Sequence, residues 1–462
     1  MRYLLLLPIL AIAACSPGMQ AHTMTERRAT LPASALPPMK RFTTTYVSPP
    51  SRSNTEIARD FLDLSFKMES GRTLPIMTRF EGPITVRVTG SPPASLGPDL
   101  KQLLTRLNRE AGIPISRVGP VQSANITIEV IPRAQLQRLV PQAACFVVPR
   151  IASWAQYRKQ RRSGAVSWST LKSREQIAIF LPGDVSPQEV RDCLHEELAQ
   201  ALGPLNDLYR LPDSVFNDDN FQTVLTGFDM LILRAYYAPE MHNGMTRSQA
   251  AITLPRVLAR LNPRGQRVAS RPLTSPTPRA WVDAIEAALG PKGNTTARRK
   301  AATTAVTIAQ NSGWNDTRLA FSLYALGRLS LSTKTESALH AFLNSGAIYK
   351  GREETQIQAA HVAMQLAAFT LSAGEGDATL KLVNANLPAV AASKNAALLA
   401  TLLMIKAEAL EMVGRASEAH EVRLDSLGWA RYGFGSDKAV RNRLAEISAL
   451  APVRKPQSMR SL

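Results

Sequence analysis

Two hydrophobic periodicities divide this chain, and the boundary between them limits what it can fold into. From Ser53 to about Pro239, segments of period two alternate with segments of period 3.6, whereas past Trp281 no convincing strand pattern appears. Ile84-Thr85-Val86-Arg87-Val88 alternates like a half-buried strand, and Ile126 to Ile131 and Gln176 to Leu181 read as two more. Helices are expected through Met68, with Asn54 as the cap, and from Pro98 to Ala111, the latter with Leu100, Leu103, Leu104 and Leu107 on one face. A further helix begins at Pro187, opened by Ser186 with Glu189 three residues on, and stops at Gly203-Pro204. This alternation predicts an α/β or α+β domain of about 190 residues.

Between Leu254 and Trp281 stand five prolines and six arginines without one acidic residue, which reads as a linker or long loop. Residues 280–450 are Ala- and Leu-rich, helical in period, and punctuated by Gly290, Gly313, Gly346, Gly374 and Gly414. Leu403, Ala407, Leu410, Gly414 and Ala419 fall at spacings similar to those of a tetratricopeptide helix pair, so this part is expected to be an array of three to four α-hairpins. Residues 451–462 form a basic tail.

The 462 residues carry 55 Lys+Arg against 36 Asp+Glu, a net charge of +19, with 45% hydrophobic residues. That composition excludes a disordered chain, and three cysteines are too few for a disulfide scaffold. The only long apolar run, Leu4 to Ala14, is too short to span a bilayer and suits an export signal over residues 1–14. Ile12-Ala13-Ala14-Cys15 resembles the bacterial lipobox, which implies lipidation of Cys15; the alternative is an ordinary signal with a chance cysteine. Ser16 after the cysteine favours the outer membrane, facing the periplasm, with the inner membrane as the alternative. Six prolines among Ser, Thr and Ala between residues 16 and 50 make 15–52 a disordered tether behind the lipid. Export leaves Cys145 and Cys193 as an even pair in an oxidising compartment, so they form a disulfide or remain two buried thiols.

One stretch suggests chemistry. On the helix after Pro187, Val190, Cys193, Leu194, Leu198, Ala201 and Leu202 make an apolar stripe, and Glu197 lies inside it. A carboxylate there is costly unless it is paired or hydrogen-bonded. Glu196 and Gln200 point the same way one turn apart, and Gly203 lets Asn206-Asp207 fold back toward them. The stretch resembles the metzincin zinc proteases, whose helix reads H-E-x-x-H-x-x-G-x-x-H, often followed by Asp. Glu197, Gly203 and Asp207 match that pattern, while Glu196, Gln200 and Asn206 stand where the three zinc-binding histidines belong. Ser214-Val215-Phe216-Asn217 sits where metzincins make their methionine turn, and Thr226 and Asp229 cap a helix running to Tyr236-Tyr237, as matrixin-like domains close. A closer resemblance, over about Ser53 to Thr246, is to the proteobacterial family called domain of unknown function 2927, often read as lipoproteins. Its core E-E-x-x-Q-x-L-G-x-x-N-D followed by S-x-F fits Glu196-Glu197, Gln200, Leu202-Gly203, Asn206-Asp207 and Ser214-Val215-Phe216.

A Glu, Gln and Asn set offers one charge and three oxygens, a poor zinc site, so no metal or other cofactor is expected. Three readings are open: a hydrogen-bonded cluster joining helix, turn and loop; a polar ligand-binding cleft; or metal-dependent hydrolysis with Glu197 as general base. His195 is expected to be a surface or hydrogen-bonded histidine. No Gly-x-Ser-x-Gly elbow, Walker loop or Gly-x-Gly-x-x-Gly motif is present. Arg158, Lys159, Arg161 and Arg162 cluster with Arg150, Lys172 and Arg174, interleaved with Trp154, Tyr157 and Trp168. For an exported protein this mixture suggests an anionic envelope surface and not nucleic acid; the alternative is a solvated loop. The sequence therefore predicts an α+β, metzincin-like domain over 53–246, a helix and basic linker over 247–279, and an all-α, tetratricopeptide-like domain over 280–450. The expected role is a non-catalytic envelope scaffold or binding protein, with a protein partner on the helical repeats. The alternative is an envelope hydrolase, peptidase-like, acting through Glu197.

Overall fold

The computed structural model describes residues 36–43, 49–272 and 275–452. The export signal, Cys15 and most of the basic tail lie outside the described residues. In chain order the first half comprises α1 (Asn54–Ser65), β1 (Ile84–Gly90), α2 (Leu96–Glu110), β2 (Ile115–Arg117), β3 (Ile126–Ile131) and α3 (Arg133–Leu139). It continues with β4 (Phe146–Pro149), α4 (Trp154–Gln160), β5 (Ile177–Pro182), α5 (Pro187–Leu202), α6 (Gly227–Tyr236) and α7 (Arg247–Leu261). The five strands form one sheet in the order β2-β1-β3-β5-β4, all parallel except β4, which runs antiparallel to β5. Val86 pairs with Ile126, and Ile128 with Ile179.

The burial of each strand follows its place in the sheet. Every residue of the near-central β5 is buried, so it reads as a continuous apolar run, whereas β1 alternates buried and half-buried residues. Ile177, Ile179 and Leu181 face the main core beneath α1, α2, α5 and α6, while Ala178 and Phe180 face a small second cluster. Trp154 and Tyr157 belong to that second cluster, with ring centroids 5.1 and 5.6 Å from Phe180. Of the aromatic residues interleaved with the basic ones, Trp154 and Tyr157 therefore cover the back of the sheet, while Trp168 packs into the main core.

The second half is helical throughout the described residues: α8 (Arg279–Leu289), α9 (Thr295–Asn311), α10 (Thr317–Ser330), α11 (Thr335–Tyr349), α12 (Gln356–Ser372), α13 (Gly376–Ala392), α14 (Ala396–Met412), α15 (Ala416–Phe434) and α16 (Asp437–Ser448). Each packs against the next, around a core of its own. The chain is thus an α+β domain followed by helices. No helix among the described residues is long and apolar enough to cross a membrane.

Three expectations need correction. The first helix ends at Ser65, not Met68, and its cap is Ser53, which forms a capping box with Glu56. The stretch opening at Leu254 begins inside α7, which passes through Pro255 to Leu261, so only the residues beyond Leu261 act as linker. The tether is not free over its whole length. Residues 36–43 lie along α15, where the Lys40 N–H donates to the Gly428 carbonyl at 3.0 Å and Phe42 stacks on Trp429 at 4.5 Å. Leu36 enters the helical core.

The two halves are joined by more than a linker. Tyr209 and Phe221, on the loop after α5, are part of the helical core. The Arg271 guanidinium, in the linker, reaches both Glu56 and Glu354. A Cys145–Cys193 disulfide ties the start of β4 to the middle of α5.

Candidate functional site

Helix α5 carries the site. The Ser186 hydroxyl accepts from the Glu189 N–H and Pro187 opens the first turn, as the sequence predicts. The far end is held by a residue placed by sequence among the surface basic cluster. Arg174 is buried, and its guanidinium donates to the carbonyl oxygens of Gln200 at 2.6 Å, Ala201 at 2.7 Å and Gly203. A helix leaves its last carbonyls without intrahelical partners, and here one buried cation satisfies three carbonyls at that end. Gly203 allows a close contact, since a Cβ there would stand 3.1 Å from the Tyr236 ring.

The turn after Gly203 brings the chain back along α1. The Asn206 side-chain amide donates to the Asp63 carbonyl at 2.9 Å, and the Gln200 amide donates to Glu69 Oε1 at 3.2 Å. Two of the three residues standing at zinc-ligand positions are therefore committed to holding helix and turn against α1 and the loop after it. Among the described residues no group of three or more His, Cys, Asp or Glu side chains is arranged to hold a metal. One carboxyl and two hydrogen-bonded amides do not fit zinc.

What these elements do assemble is a set of carboxyl groups. Glu69 and Asp218 are exposed, Glu196 and Asp207 half-buried, and Glu197 buried. Burial, then Glu69, Asp218 and Asp192, push the Glu196 carboxyl up to about 8. Burial, then Glu196 and Glu69, hold Glu197 well above the carboxylate range. Asp207 is raised in the same way and shares a hydrogen bond with Glu69, so it keeps its proton and donates it. Glu69 reaches solvent, yet the protein around its carboxyl desolvates it, and that, with Asp218, raises it. Glu197 Oε2 and Asp207 Oδ1 are buried without a hydrogen-bond partner among the described residues.

The folded protein retains the Glu196 proton to about pH 8, whereas an unfolded glutamate loses it near pH 4.3. The folded state thus binds more protons across that window, and stability falls as pH rises through it. Urea unfolding at pH 6 and pH 8 is expected to show a loss of about 1 kcal/mol per pH unit from this group. The slope should be shallower in Glu196→Gln; equal slopes would contradict the assignment.

The remaining motif residues hold structure. Asp229 is fully buried; it accepts from the Ser214 hydroxyl at 2.5 Å, the Val215 N–H at 3.2 Å and the Thr226 N–H at 2.8 Å. It thereby locks the 214–217 turn to the capping box of α6, with Phe216 packed beneath. His195 is buried, and its Nδ1 accepts from the Leu225 N–H at 3.2 Å. Arg158, Lys159 and Arg162 are exposed and Arg161 half-buried around the end of α4, with no carboxylate in ion-pair range among the described residues. Arg150 instead donates to Thr170 Oγ1 at 2.8 Å and to the Thr170 carbonyl at 2.7 Å. Sequence reasoning missed Glu69, Asp218 and Arg174 as site residues. No local pattern marks them, because each reaches α5 or its turn from another part of the chain.

An α+β domain in which α5 and the loops around it carry a partly buried set of carboxyl groups is the class defined by fold and site. Residues 54–256 match the family described as "Protein of unknown function (DUF2927)". No curated protein and no solved structure matches the chain.

Proposed function

We propose that this chain is an envelope lipoprotein, anchored through Cys15 in the outer membrane and facing the periplasm, that binds a cationic group without cleaving its ligand. One observation carries the reading. The carboxyl groups run from solvent at Glu69 and Asp218, through half-buried Glu196 and Asp207, to buried Glu197 with a free oxygen. An amine entering there displaces protons and gains charge-assisted hydrogen bonds. The order of helices and strands up to α5, the 214–217 turn and α6 supports a metzincin-like frame, and the amides of Gln200 and Asn206 support its being non-catalytic. The array, similar to tetratricopeptide hairpins, suits a protein partner. A groove of about 640 Å³ between α9, α10 and α11 is lined by Arg299, Lys300 and Lys334 and favours an acidic segment. Exposed Arg158, Lys159 and Arg162, with Arg161, favour an anionic envelope surface.

A second reading, a peptidase-like hydrolase using Glu197, draws on the unpartnered Glu197 Oε2. Burial and the neighbouring carboxyls raise Glu197 well above the carboxylate range, which favours its protonated, acid form over the base that hydrolysis needs. Calorimetric titration of the mature chain with tri-lysine is expected to show binding that tightens from pH 6 to pH 8 and weakens about tenfold in Glu196→Gln, the loss of about 1.4 kcal/mol. Absence of binding would overturn the reading. Peptide cleavage by zinc-supplemented protein that Glu197→Gln abolishes would replace it with the hydrolase.

A further inference from the structure

Four turns of the helical array share one backbone pattern. The residue two after the helix end donates its N–H three residues back: Gly313 to Gln310, Gly374 to Leu371, Lys394 to Ala391 and Gly414 to Glu411. In each, the next residue donates five back: Trp314 to Ala309, Glu375 to Thr370, Asn395 to Val390 and Arg415 to Leu410. All four turn residues have left-handed backbone, at φ 68°, 84°, 56° and 84° in chain order. Three are glycine, which occupies that region without steric cost, and one is lysine, which does not. Strain retained at one of four equivalent turns points to a use for its side chain.

The Lys394 side chain lines a pocket between the two halves of the molecule, with Arg106, Arg191, His195, Asp99 and Tyr432. It is 8% exposed, and among the described residues no carboxylate lies in ion-pair range of its ammonium. Its charged neighbours include two further buried cations. Arg106 is bound to Glu110 and the Leu225 carbonyl, and Arg191 to Asp192 and the Lys394 carbonyl. Each guanidinium has five N–H groups, and these bonds use three. Because His195 Nδ1 accepts from Leu225, the neutral ring carries its proton on Nε2, a further donor. On the acceptor side, Asp99 takes the Tyr432 hydroxyl at 2.8 Å. Burial, then Arg106 and Arg191, bring the Lys394 ammonium down to about 8, with Glu110 opposing. The free volume is about 10 Å³, room for one particle near the size of a water.

We propose that this pocket binds a monatomic anion of the chloride class, which bridges Lys394 of the helical array to Arg106 and Arg191 of the sheet domain. The excess of N–H donors selects an anion, the volume excludes phosphate or carboxylate ligands, and the strained lysine supplies the contact from the array. The ion joins the two halves at the turn where α5 meets α14 and α15.

The test is thermal unfolding of the mature chain at constant ionic strength, with sodium gluconate replaced stepwise by sodium chloride or bromide. A saturable rise of about 1.5 °C at tenfold the dissociation constant is expected. Lys394→Gly removes the ammonium and the backbone strain together, so it stays folded and is expected to lose the halide response. Crystals soaked in bromide should show an anomalous peak beside Lys394 Nζ. Equal melting in gluconate and chloride, an undiminished response in Lys394→Gly, or a pocket holding water only would each overturn the proposal.

Discussion

Replacing Arg174 by methionine is expected to lower unfolding free energy by about 3–5 kcal/mol. The side chain is 3% exposed, stacks over the Trp168 ring at 5.1 Å, and donates to the carbonyls of Gln200, Ala201 and Gly203. Methionine fills much of the volume but leaves those carbonyls buried without a donor, at about 1–3 kcal/mol each, partly recovered by relaxation. Lysine should recover only part of the loss, because one ammonium lacks the planar fork that spans three acceptors. The consequence reaches the site, since the carbonyls concerned belong to the turn that returns Asn206 and Asp207 to α1. Urea unfolding of wild type, Arg174→Met and Arg174→Lys measures this. A methionine variant as stable as wild type would show that the turn holds without its cation.

Removing the Cys145–Cys193 bridge is expected to have an effect of similar size, about 4 kcal/mol, because it closes a loop of 48 residues that an unfolded chain leaves open. The bridge ties β4, a four-residue edge strand with little pairing of its own, to α5 one turn before Glu196 and Glu197. Cys193 sits in the main core, so alanine is the appropriate replacement and serine would bury a hydroxyl. The doubly substituted chain and reduced wild type should unfold at the same lowered urea concentration. A midpoint unmoved by both reductant and substitution would mean that packing alone holds α5 to the sheet edge.

Legibility tracked the range over which each signal acts. Strand β3 was readable at its observed limits, because β-branched residues at Ile126, Ile128 and Val130 recur with a period of two. Strands β2 and β4, at three and four residues, are too short to show a period. The caps of α5 and α6 were readable since a capping residue and its partner lie three apart. Glu196 and Gln200 could be placed on one helix edge by the same short-range geometry. That Gln200 would meet Glu69 across 131 residues could not, for no local pattern encodes it. Arg174 shows the limit most clearly. In sequence it ends a stretch of basic residues running from Arg150, and only tertiary packing separates it from Arg158 and Arg162.

The sequence alone determined the division into a β/α half and a helical half, and the helix that carries Glu196, Glu197 and Gln200. Each rests on periodicity, capping or spacing within a few turns of chain. Tertiary structure decided which charges are buried, which carboxyls keep their protons, and that a strained lysine in the array faces two arginines of the sheet domain. Those properties depend on desolvation and on distances between groups far apart in sequence, and they exist only once the chain has packed.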